Sequence, residues 1–137
     1  MTDIVITAAN VVPGDGAVVY SGTAGATITQ GQALYKEAAS GTYKLADSNA
    51  ATAEARTPVG IALNAASAGQ PISFQKSGPI TIGGTLTPGV AYYLSAANAG
   101  GICAVADLTT GDYPALLGMA ASASVLNLAI QAPGVSL

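Results

Sequence analysis

The sequence predicts an all-β fold: an internally duplicated small β-sandwich or β-barrel with short strands and Gly/Pro turns. Three observations lead there. Short apolar or alternating segments are separated by Gly, Pro, Asn, Asp and Ser about every ten residues, the spacing of an all-β domain. Segments such as Ala17-Val18-Val19-Tyr20 and Ile80-Thr81-Ile82 carry the β-branched and aromatic residues that fit a pleated chain. A set of motifs in the first half also returns, in the same order, in the second.

In chain order the predicted strands span residues 4–6, 17–20, 33–36, 43–45, 59–63, 72–75, 80–82, 91–94, 103–106, 117–120 and 126–131. Pro13-Gly14-Asp15-Gly16 is a turn, because Asp-Gly readily takes positive φ. Gly83-Gly84 and Pro88-Gly89 punctuate the link between the halves in the same way. The Ala-rich residues 49–56 and 120–125 have some helical character, but Pro58 would stop the first early. The counterpart of 49–56, residues 108–114, contains Gly111, so loops are predicted in both places.

The repeat is specific in its spacing. Gly31-Gln32-Ala33-Leu34-Tyr35 answers to Gly89-Val90-Ala91-Tyr92-Tyr93, and the run from Gly41 to Asp47 answers to that from Gly101 to Asp107. Pro58-Val59-Gly60-Ile61-Ala62 answers to Leu116-Leu117-Gly118-Met119-Ala120, and the run from Ile72 to Gly78 to that from Leu128 to Gly134. The predicted organisation is an N-terminal strand or arm over residues 1–12. A single β domain over 13–137 follows, holding repeats at about 27–78 and 85–134. A half of this size would bury too little surface to be stable alone, so the copies are expected to share one core.

Composition narrows function. Only 8% of the 137 residues are charged, against about 25% in an average soluble domain, while 50% are hydrophobic. No apolar run reaches the roughly 18 residues of a membrane helix. The N-terminus lacks the basic and continuous apolar regions of a secretory signal and reads as an unprocessed cytosolic product. Histidine is absent, which removes the commonest general base and a common metal ligand, so no catalytic residue, cofactor or metal ligand is assigned. The four basic residues, Lys36, Lys44, Arg56 and Lys76, are scattered among seven acids, which argues against nucleic acid as a partner. The lone Cys103 reads as a small buried hydrophobe.

Other candidates have ordinary explanations. Asp47 and Asp107 hold equivalent places, but no Asp-x-Asp cluster supplies the six or more oxygens that Ca²⁺ wants, and local acceptance of backbone N–H groups is expected. Tyr35, Tyr92 and Tyr93 offer a sugar-stacking surface or fill a core of small residues; alternation puts Tyr92 and Tyr93 on opposite faces. Gly14-Asp15-Gly16 and Gly22-Thr23-Ala24-Gly25 lack the Lys-Ser/Thr of a phosphate loop and read as turns.

The Gly-x-x-x-Tyr motif, a Gly-marked hairpin, an Asp and then Val-Gly-Ile-Ala or Leu-Gly-Met-Ala, over residues 11–134, resembles the small capsid decoration (cement) and head-fibre proteins of tailed bacteriophages. The resemblance implies a mostly β chain, made in the host cytoplasm and carried on the outer capsid surface of the virion. It also implies the major capsid protein as partner and a homo-oligomer, with a trimer favoured. A charge-poor surface points the same way, because exposed apolar patches call for cover. Ile4, Val5, Ile6, Val11 and Val12 are the candidate capsid contacts, either as an arm that adds an edge strand to a neighbour or as the first strand of this chain's own sheet. A head-fibre or tail-associated β module and a carbohydrate-binding adhesin domain are the alternatives.

Overall fold

A computed structural model describes residues 3–137. Strand makes up 39% of it and helix only 4%, so the chain is all-β. The strands are β1 (Val12–Pro13), β2 (Val18–Thr23), β3 (Ala33–Lys36), β4 (Tyr43–Leu45), β5 (Gly60–Ala62), β6 (Pro71–Thr81), β7 (Ala91–Leu94), β8 (Ile102–Ala104), β9 (Leu116–Ala120) and β10 (Val125–Gln131), with 3-10 turns at Ala8–Asn10 and Val105–Asp107. Residues 49–56 and 120–125 form turns and irregular chain without helix, apart from Ala120, which ends β9, and Val125, which opens β10.

Four predicted strands need correction. Residues 4–6 lie outside any ladder: Asp3 makes an isolated bridge to Cys103, Ile4 N–H donates to Ile102 O at 2.9 Å, and Thr7 N–H donates to Gly83 O at 2.8 Å. The strand placed at 103–106 ends at Ala104, where the chain tightens into its 3-10 turn. The segments 72–75 and 80–82 are one strand, β6, because Ser77-Gly78-Pro79 bends the chain without ending it. Gly78 takes φ +93° there. The buried Gln75 amide donates to the carbonyls of Ser77, Gly78 and Pro79 at 3.2, 3.0 and 2.8 Å, tying the bend to the strand on its N-terminal side.

The strands form one antiparallel sheet in the order β4-β3-β5-β6-β10-β9-β7-β8. β6 is its spine. At Phe74 and Gln75 it is paired with β5 and β2, and at Ile80 and Thr81 with β10 and β1. Both β2 and β10 also pair at Ser77, so β1 and β2 follow one edge of β6 while β5 and β10 lie end to end along the other. The sheet therefore divides into two wings between Gln75 and Ser77, and it curls into a half-barrel. Main-chain bonds join the far ends of the wings: Ala33 N–H to Gly100 O at 2.9 Å, Gly100 N–H to Ala46 O at 2.6 Å and Ser48 N–H to Ser95 O at 3.3 Å.

The wings have the same connectivity and share a register. Gly31 N–H donates to Ala62 O and Ala62 N–H to Gln32 O, while Gly89 N–H donates to Ala120 O and Ala120 N–H to Val90 O. Gly31 and Gly89, with φ of +90° and +82°, make the turn that admits these pairs, a conformation that costs glycine nothing. Elsewhere the sequence alignment slips. Tyr43 pairs with Lys36 as Ile102 pairs with Leu94, so Gly41 corresponds to Gly100, one residue before the glycine matched by motif. Phe74 pairs with Ala62 as Leu126 pairs with Ala120, so β6 and β10 correspond four residues away from the motif match of Gln75 to Gln131.

Equivalent residues enter different cores. Tyr92, Ala120 and Leu126 of the second wing fill the inner cluster together with Leu94, Ile102, Leu117 and Leu128. Their counterparts Leu34, Ala62 and Phe74 build a separate cluster with Ile28, Ala66 and Ile72 on the other face of the first wing. That face is roofed by segments whose meeting point is the Ile28–Ala66 bridge. The back of the first wing, through Ala33 and Ile61, closes the inner cluster. The corresponding back of the second wing faces outward, leaving Met119 51% exposed.

Candidate functional site

The feature best suited to bind another molecule is β2. It is hydrogen-bonded on one edge only, to β6, and its outer edge has no strand partner among the described residues. The ladder to β6 shifts register between Val18 and Val19, where the partners step from Ser77 to Gln75. Val18, Val19 and Tyr20 are 41%, 48% and 51% exposed, so each is only partly covered. Edge strands are ordinarily blunted by charge or proline. Val18-Val19-Tyr20-Ser21-Gly22-Thr23 has neither; the proline lies upstream at Pro13, where β1 ends. The total accessible surface, 6173 Å², is close to the roughly 6,400 Å² expected for a compact monomer of this mass. The exposed strand thus belongs to a protomer that is otherwise folded on itself.

The five residues predicted to contact a capsid are spread over different environments. Ile4 and Ile6 are half-buried against the inner cluster, and Val11 is buried within it. Val5 is 85% exposed and Val12, paired with Thr81 in β1, is 52% exposed. Met1 and Thr2, which open the predicted 1–12 segment, lie outside the described residues.

The carboxylates act locally. Asp47 accepts from Asn49 N–H at 3.2 Å, as expected for a loop start, whereas Asp107 sits in the 3-10 turn. Burial pushes the Asp47 carboxyl up from its usual range, the Asn49 N–H opposes this, and the charges of Asp112 and Asp3 add to it. No group of three or more His, Cys, Asp or Glu among the described residues is arranged to hold a metal. Two acids have structural roles that the sequence reading missed. Asp3 accepts from Ser95 Oγ and from Asn98 Nδ2, tying the N-terminal segment to the β7–β8 turn. Buried Asp112 accepts from Thr109 N–H at 3.0 Å and from its hydroxyl at 3.2 Å. Cys103 is buried on β8, and its thiol is pushed up to about 12, by burial first and then by Asp3, Asp107 and Asp112.

Tyr35, Tyr92 and Tyr93 do not make a stacking surface. Tyr92 is buried, and its hydroxyl accepts from Thr87 N–H at 2.8 Å, while Tyr35 leans on the inner cluster from the other wing. Tyr93, on the opposite face from Tyr92, is half-buried. The rings that approach one another are Tyr20, Phe74 and Tyr43. No signal in the sequence marks them as neighbours, since cross-strand register brings them together. No family model, curated protein or solved structure matches this chain. No helix among the described residues is long and apolar enough to cross a membrane.

Proposed function

We propose that this chain is a non-enzymatic structural protein that decorates the outside of a tailed-bacteriophage head as a symmetric homo-oligomer, a trimer by preference, bound to the major capsid protein. The observation that carries the proposal is β2: a charge-free strand, open on its outer edge and with Val18 and Val19 half exposed, in a protein with 8% charged residues. Such an edge adds a strand from a neighbour through main-chain hydrogen bonds, and burying Val18 and Val19 stabilises the contact by about 1.5–3 kcal/mol for each fully covered side chain. A ring of copies then binds a capsid lattice at several points, so weak individual contacts suffice. The exposed Val5 and Val12 are available for the capsid contact. In the same reading the wings are copies of one four-strand unit, supported by their common connectivity and by the paired bonds at Gly31/Ala62 and Gly89/Ala120.

Light scattering coupled to gel filtration tests the assembly, and co-sedimentation with purified mature heads tests the partner. The wild type is expected to run as an oligomer and to pellet with heads at micromolar concentration. The double variant Val18→Lys, Val19→Lys, which leaves both cores intact, should run as a monomer with an unchanged Tm and bind heads far more weakly. A wild type that stays a 13.2 kDa monomer at all concentrations and ignores heads overturns the proposal.

A further inference from the structure

Two of the four basic side chains already have partners. Lys44 pairs with Glu37 at 2.9 Å, and Arg56 stacks 3.6 Å from the centre of the Tyr113 ring. Lys36 and Lys76 have no carboxylate at ion-pair distance among the described residues. Each ammonium is held over a ring instead: Lys76 Nζ 5.1 Å from the centre of Tyr20, and Lys36 Nζ 6.0 Å from that of Tyr43. Both rings flank Phe74, at 6.2 and 4.7 Å between centres. Sheet register produces this grouping, since Tyr20 is the cross-strand partner of Phe74 and Lys36 that of Tyr43. Together with Val59, these five residues line a depression of about 320 Å³.

The depression is not isolated. Val59 and Lys76 also border a cleft of about 510 Å³ where β10 ends, at the split between the wings. Val59 and Lys36 border another of about 390 Å³, which includes Glu54. Three bays therefore meet around Val59 in one furrow. Glu54, whose carboxylate accepts from Ala38 N–H at 3.1 Å, is the single acid lining it. In a chain of net charge −3, two uncompensated cations over an aromatic floor form a local inversion of charge.

We infer that this furrow binds an acidic oligosaccharide. Pyranose C–H faces stack on exposed Tyr20 and on the edge of Tyr43, while uronate carboxylates pair with Lys76 and Lys36, whose ammoniums the rings already position. The extended shape accommodates several sugar units. Two point charges are too few to track a phosphate backbone. An extended peptide wants an open strand edge, whereas here β5 and β10 occupy that edge of β6 and the floor is made of side chains. The furrow shares only Tyr20 with the β2 edge of the capsid reading; Lys36, Tyr43, Val59, Phe74 and Lys76 lie on neither β2 nor the proposed head contacts, so the lysine variants separate the two readings.

The test is an amide-resolved NMR titration of the full chain with trigalacturonate, with neutral galactotriose, sodium phosphate and an Asp/Glu hexapeptide as controls. Trigalacturonate should shift the amides of Tyr20, Lys36, Tyr43, Val59 and Lys76 with a Kd of about 1 mM or below at low salt, weakening as salt rises. The double variant Lys36→Gln, Lys76→Gln should bind about tenfold more weakly with an unchanged Tm, since both lysines are exposed, and should still bind heads like wild type. Tyr20→Ala should weaken the sugar by a similar factor. Galactotriose binding as tightly as trigalacturonate, phosphate or the peptide binding more tightly, or no shifts at these amides up to about 10 mM trigalacturonate, each overturns the inference.

Discussion

The Arg56 guanidinium lies 3.6 Å from the centre of the Tyr113 ring, and this contact joins the long loop of the first wing to that of the second. Arg56 also donates through Nη1 to Ala50 O at 3.3 Å, so the first loop is folded onto its own arginine before meeting the second. A main-chain bond from Tyr113 N–H to Ser48 O at 3.1 Å completes the junction. A planar cation on an aromatic face contributes about 0.5–2 kcal/mol.

Arg56→Ala and Tyr113→Ala are therefore expected to couple. A double-mutant cycle measured by urea denaturation should return about 0.5–2 kcal/mol of interaction energy. Arg56→Lys should recover only part of it, because an ammonium cannot stack as a plane. Additive single-mutant losses would mean that the loops meet without energetic consequence.

Gly118 on β9 lies tight against β10. A Cβ there would overlap the carbonyl oxygen of Asn127 on the paired strand, and at the equivalent Gly60 it would lie 2.5 Å from Phe74 Cδ2. Gly118→Ala is expected to cost more than about 3 kcal/mol, with loss of soluble protein as the cruder sign. Gly69→Ala is the control: its φ is +90° but nothing lies within 4 Å, so strain alone should cost about 1 kcal/mol. Comparable losses in the two variants would show that the β9–β10 contact can relax.

Asp47 sets a pH dependence. Its carboxyl is raised by burial first, and the folded state therefore holds this proton more tightly than the unfolded chain. The contribution is most favourable below the unfolded pKa of about 3.9 and is lost as pH rises through the folded value. Asp47→Asn keeps an acceptor for Asn49 N–H and removes the charge, so its Tm should exceed wild type by about 1–3 °C at pH 7. That gain should vanish at about pH 3, below the unfolded carboxylate pKa. A variant less stable than wild type at pH 7 would show that the charged form is the one the fold favours.

Cys103 should be inert while the chain is folded. With its thiol pushed up to about 12 and the residue buried on β8, almost no thiolate exists at pH 8. Iodoacetamide labelling followed by mass spectrometry should find no adduct in native buffer and complete modification in denaturant. Rapid native labelling would indicate that β8 opens from its edge.

Much of the architecture is legible in the order of residues. The bounds of β3, β4 and β7 follow from short apolar runs set between glycines, and the turns at Gly31 and Gly89 follow from the matching motifs. Two alignments were not legible. The adjacent Gly100 and Gly101 fit a motif equally well, and only strand pairing selects Gly100 as the counterpart of Gly41. In β10, Leu126, Leu128 and Ile130 alternate with other residues, so shifting the match by an even number of residues preserves the hydrophobic pattern. The candidate site was less legible still: Val18-Val19-Tyr20 has the composition of a buried strand, and its exposure depends on what fails to pack over it.

By itself the sequence determined a charge-poor chain of short strands and glycine turns, because backbone propensity and local alternation are properties of neighbouring residues. Tertiary structure alone decided that the two wings share the strand β6, that Leu34 and Tyr92 enter separate cores, and that Lys36 and Lys76 are each held over a tyrosine ring beside Phe74. Those outcomes depend on strand register and sheet curl, which place residues far apart in the chain on a common face and which no local pattern encodes.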